Sequence, residues 1–186
     1  MNLKHKFMQL VSVLILLAVP IIGIRVFSYQ QMPMKRATNS LSQYINRNRI
    51  NELTLRVYYI NPLSLTIIPM CVEHLIDFNE NRGIIINGDV LQESTEAIRD
   101  ILSVVEKLPL TNDSSRIDAR IYYVFEANNG DSIFDVSMWG TNHSMFINGI
   151  EVEESVELYH AMSVFLPDDV AAIFDDYLTK QYRRGN

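Results

Sequence analysis

Cysteine is nearly absent from this 186-residue chain: Cys71 stands alone. No intrachain disulfide can form, so a disulfide-stapled small secreted scaffold is excluded. Cys71 lies in an apolar run with Ile67, Ile68, Met70 and Val72 and reads as a small buried hydrophobe. The nucleotide and nucleophile signatures are missing too: there is no G-x-S-x-G, no Walker loop, no dinucleotide fingerprint and no H-E-x-x-H. Lys and Arg are missing from Ile121 to Thr179, where 11 acids fall. Beyond residue 36 the chain holds 11 Lys and Arg against all 22 acids, a formal charge of −11. Nucleic-acid binders neutralise phosphates with clustered basic residues, so no nucleic-acid partner is expected.

Charge is also lacking over the 18 residues from Phe7 to Ile24. That is the lower edge of a membrane span and longer than the apolar core of a signal peptide. No A-x-A-like site follows it, and no cysteine near its end would take a lipid. Pro20 and Gly23 would weaken a soluble helix but are tolerated in lipid. The segment is therefore expected to be an uncleaved, single-pass anchor, with the membrane itself as a partner. Lys4 and Lys6 precede it and Arg25 follows. A short positive N-terminus ordinarily stays cytoplasmic, which places the domain outside the membrane. Arg25, Lys35 and Arg36 argue for the opposite topology. Residues 25–50 read as a basic stalk, with Pro33 as a helix breaker and Ser40 capping a short helix through Leu41, Tyr44 and Ile45.

What is present in the rest is a weak duplication. Leu55–Tyr59 matches Ala119–Tyr123, 64 residues on. Ile86-Asn87-Gly88 matches Ile147-Asn148-Gly149, and Glu93-Ser94-Thr95-Glu96 matches Glu154-Ser155-Val156-Glu157, each 61 residues on. Leu53, Leu55, Val57 and Tyr59 alternate with Thr54, Arg56 and Tyr58, the period of a half-buried strand, and Ala119, Ile121, Tyr123 and Phe125 do the same. Asn-Gly predicts tight turns, and Ser94 and Ser155 predict helix N-caps. Ile98, Ile101, Leu102 and Val105 follow at helical spacing, as do Val156, Tyr159, Met162 and Val164. Asn128-Asn129-Gly130-Asp131 predicts a hairpin between strands 117–126 and 132–139, and Phe146–Val152 predicts a second hairpin. Val170, Ile173, Phe174, Tyr177 and Leu178 share one face of a last helix.

The expected fold is therefore α+β. An N-terminal transmembrane helix precedes one domain built from two β-rich, helix-terminated repeats plus a C-terminal helix. The boundaries are a tail at 1–6, the anchor at 7–24, the stalk at 25–50 and the first repeat at 51–108. A linker at 109–115, the second repeat at 116–166 and the last helix at 167–186 complete the chain.

Chemistry is sparse. Glu157 and His160 stand three apart on an expected helix, but no second such pair supports a metal set. The acids Glu151, Glu153, Glu154 and Glu157 lack calcium-loop spacing and read as a solvated face. No cofactor, metal or catalytic residue is assigned. Arg56, Tyr58, Arg120 and Tyr122 occupy outward positions of matching strands, and Arg and Tyr are favoured at binding hot spots. They form the candidate binding face, unless the helices cover them. Trp139 reads as core. The reading is a membrane-tethered extracytoplasmic binding or interaction module with a possible protein partner at the cell envelope. The alternatives are a cell-envelope hydrolase or metal-dependent enzyme and, with inverted topology, a cytoplasm-facing regulatory domain.

Overall fold

In the computed structural model, the described residues are 34–64, 69–80, 82–111, 117–139 and 143–184, with side chains described to 180. The anchor expected at 7–24 lies outside them. Among the described residues no helix is long and apolar enough to cross a membrane.

Helix α1 covers residues 34–46, and a short 3-10 turn at Ile50–Glu52 leads into β1 (Leu53–Tyr59). Then come α2 (Val72–Phe78), β2 (Ile84–Asn87), α3 (Gly88–Glu93) and α4 (Thr95–Val105). The second half runs β3 (Ile121–Ala127), β4 (Ser132–Met138), β5 (Met145–Ile147), β6 (Ile150–Val152), α5 (Val156–Ser163) and α6 (Asp168–Arg184). The strands form one antiparallel sheet in the order β2-β1-β3-β4-β5-β6.

The alternation in β1 works as read. Leu53, Leu55 and Val57 are buried in the main core, while Thr54, Arg56 and Tyr58 turn to the other side. Both hairpins also form as expected. Gly130 takes φ 85° between β3 and β4, and Asn148 and Gly149 take φ 48° and 72° between β5 and β6, the positive values that make Asn-Gly a hairpin pair. Strand β3 departs from a half-buried pattern, with Ile121 to Phe125 all buried. Ile121, Tyr123 and Phe125 join the main core, whereas Tyr122 and Val124 join Leu75 of α2 and Ala119 in a second cluster on the opposite face. Ala119 precedes the strand, donates its N–H to the Met70 carbonyl, and so falls out of phase with Ile121.

The main core faces α1, α3, α4, α5 and α6. Ile98, Ile101, Leu102 and Val105 of α4 are all buried, as are Val170, Phe174, Tyr177 and Leu178 of α6. Each such side chain contributes on the order of 1.5–3 kcal/mol by leaving water. Ile173 and Val164, expected on apolar faces, are exposed. The expected basic stalk at 25–50 is corrected over residues 34–46: Met34, Ala37, Leu41 and Ile45 of α1 are buried in the main core, so this helix packs with the sheet, while 25–33 lie outside the described residues.

The two Asn-Gly pairs do different work. Asn87 is not a turn residue but the cap position before α3, and a Cβ on Gly88 would come within 2.2 Å of the Asn51 carbonyl oxygen. Likewise Ser155 caps α5 by accepting from the Leu158 N–H at 3.1 Å, whereas Ser94 makes no cap and donates back to the Val90 carbonyl. The expectation of matching N-caps is corrected accordingly.

Trp139 is fully buried, its ring 4.8 Å from that of Tyr159. The Tyr123 hydroxyl is buried and makes no hydrogen bond among the described residues. An unsatisfied buried hydroxyl costs about 1–3 kcal/mol. Tyr123→Phe is therefore expected to raise stability by about 1 kcal/mol and the melting midpoint by a few degrees. A lowered midpoint in calorimetry would mean that the hydroxyl has a partner.

Candidate functional site

The sheet face opposite the main core carries one helix, α2, among the described residues. Its neighbours on β1 and β3 are set by register: Thr54 lies opposite Glu126, Arg56 opposite Val124 and Tyr58 opposite Tyr122. Side chains opposite one another in antiparallel strands share a face, so three of the four sequence-selected residues come together. The Tyr58 and Tyr122 rings stack with centroids 6.3 Å apart and planes 21° apart. The Arg56 Nε donates to Glu126 Oε2 at 2.7 Å, and this bond holds the guanidinium above its usual pKa.

Arg120 does not join them, which corrects its assignment to the outward row. It lies just before β3, is 2% exposed, and its Nη1 sits 3.0 Å from Asp118 Oδ1. That same carboxylate oxygen accepts the Met70 N–H at 2.9 Å, fastening the segment that leads into α2. Cys71 is the residue before α2 and is half-buried rather than fully buried.

Three acids that the sequence did not single out, Asp135, Glu126 and Glu73, complete the face. Asp135 of β4 lies opposite Val124 and so on the same side as Tyr122. Its backbone N–H donates to Asn148 Oδ1, and its carbonyl accepts the Asn148 N–H. Burial pushes its carboxyl up to about 6. Burial also raises the Tyr122 hydroxyl, helped by the negative charges of Asp135, Glu126 and Glu73. Glu73 is held low by a hydrogen bond to its own backbone and by Cys71. The result is a stacked aromatic pair with one half-exposed cation and acids around it, suited to recognising a surface with both apolar and charged groups.

Because the folded Asp135 binds its proton more tightly than an unfolded aspartate, its contribution to stability falls as pH rises from about 4 to 6. Asp135→Asn is expected to stabilise the protein at pH 7.5 and leave it little changed at pH 4. Urea midpoints at the two pH values check this, and equal shifts at both would contradict it.

Among the described residues the histidines sit apart from one another in the fold. His74 is exposed on α2 and His160 on α5. His143 Nδ1 lies 3.1 Å from Glu154 Oε1, with its ring stacked on Tyr177 at 6.3 Å. Among the described residues no group of three or more His, Cys, Asp or Glu is placed to hold a metal. A groove of about 340 Å³ opens between α1 and the end of α4, lined in part by Met34, Thr38, Val105 and Glu106. None of the sequence-selected residues reaches it.

No family model, no curated protein and no solved structure matches this chain.

Proposed function

We propose that this is a membrane-tethered, extracytoplasmic binding module whose contact surface is the α2 side of the sheet, centred on Arg56 and Tyr58, with the buried Tyr122 backing the Tyr58 ring. The observation that carries the reading is the Tyr58–Tyr122 stack beside the half-exposed Arg56–Glu126 pair. Aromatic rings bring large contact area at low entropic cost, and Arg supplies directional hydrogen bonds, the pairing that dominates protein interfaces. Arg120 is left out of the contact surface, since its guanidinium is committed to Asp118. The tether is residues 7–24, uncharged and long enough to span. The partner is a protein of the cell envelope.

A photoreactive residue at position 58 of the full chain, in native membranes, tests the surface. A discrete adduct is expected at 58, weakened by Arg56→Glu, and none at the exposed position 169 on α6. Equal labelling at both positions, or none, refutes the proposal. The tether is tested separately. The full chain should stay with membranes through a high-salt wash, because salt screens basic contacts and not an apolar span. Protease added outside should digest the domain. Release by salt would make the association superficial, and protection from protease would place the domain inside.

A further inference from the structure

We infer that the open edge of the sheet at β2 is the pairing surface for a second copy of this chain. The two edges of the sheet are treated differently. At the far edge, β6 is bridged by Leu110, the Glu153 N–H is bonded to the Pro109 carbonyl, and Glu151 lies within the strand with Glu153 just after it. Covering and charge are the devices that keep an edge from pairing. At the near edge, β2 pairs only with β1 among the described residues. Its sequence is Ile84-Ile85-Ile86-Asn87, with no charge from Gly83 to Gly88. Ile85 within it is 56% exposed, and Phe78 at 61% and Val90 at 54% lie on the helices before and after it in sequence.

The strand is complementary to itself. An antiparallel pair of identical strands is related by a twofold axis normal to the sheet, an isologous contact that closes as a dimer. With Ile85 on that axis, Ile85 meets its copy and Ile84 meets Ile86. Arg82, just before the strand, then comes beside Gly88 and Asp89 just after it in the partner. Both ends of the interface thus match basic against acidic, twice by symmetry. Elsewhere the net charge of −11 beyond residue 36 keeps copies apart, so the uncharged edge is where they can meet.

The test uses the full chain in native membranes with Cys71→Ser as background. Directly opposed residues in such a pair have Cα atoms about 4.5–5.5 Å apart, within reach of a disulfide. Ile85→Cys is expected to run mostly as a covalent dimer after mild oxidation. Val164→Cys, equally exposed but distant from the edge in sequence, is expected to stay monomeric. Ile85→Lys in detergent should halve the protein mass measured by light scattering, with Trp139 fluorescence unchanged. A monomeric Ile85→Cys chain, equal dimer at both positions, or a disulfide from position 85 to a different protein each overturns the inference. Ile85 lies opposite Arg56 in the sheet register and so borders the Tyr58 face; pairing is read from the 85–85 disulfide and the mass, and the Tyr58 contact from the adduct at position 58.

Discussion

Leu41→Asp is expected to unfold the domain. Leu41 is fully buried on α1, among Met34, Ala37 and Ile45. Truncating such a leucine to alanine costs about 2–5 kcal/mol, and whole domains have only about 5–15 kcal/mol to lose. Burying an unpaired carboxylate adds a desolvation penalty that alanine does not. Gln43→Asp, on the exposed side of the same helix, should shift stability by no more than about 0.5 kcal/mol. Urea unfolding of the full chain in detergent, read by the single buried tryptophan, Trp139, distinguishes the two. Equal midpoints for both variants would return α1 to the status of a stalk. By the same reasoning a chain starting at Ala37 lacks Met34 and begins inside the helix, and one starting at Asn51 lacks the helix altogether and should not fold.

That helix shows where sequence reasoning stopped short. Met34, Ala37, Leu41 and Ile45 recur at three- and four-residue spacing, an apolar stripe open to view. Lys35, Arg36, Arg47 and Arg49 obscured it, because beside an apolar segment they read as a basic stalk; Lys35 and Arg36 occupy the outer face of the helix, and Arg47 and Arg49 follow its end. The signals that succeeded were local ones. Period two fixed β1, Asn-Gly fixed the β5–β6 turn, and period 3.6 fixed α4 and α6. The same Asn-Gly failed at Asn87-Gly88, where glycine is needed for close approach to Asn51 and not for a turn. Helix α2 had no periodic signature over its seven residues, yet it decides which strand residues are covered.

Of the four residues proposed from sequence for a contact face, three share one side of the sheet for a related reason. Outward positions of a strand follow from alternation, and Arg56, Tyr58 and Tyr122 obey it. Position 120 lies before β3 begins, where alternation no longer applies, and it is folded under the segment that Asp118 holds. Asp135 and Glu126 belong to the face through cross-strand register, which a single strand's pattern does not contain.

Arg120→Met is accordingly expected to act on stability rather than on recognition. It removes the Arg120 guanidinium from beside Asp118, which is 5% exposed, and breaking such a buried pair from one side costs about 3–5 kcal/mol. The loss should be felt first around Met70 and α2, whose amides are expected to exchange faster with deuterium. Adding Asp118→Asn removes the buried charge while keeping an oxygen to accept the Met70 N–H, so the double variant should recover most of the loss. If the single variant keeps its urea midpoint and loses only the adduct at position 58, Arg120 belongs to the contact surface after all. If the double variant is no more stable than the single, the charge of Asp118 is not what Arg120 neutralises.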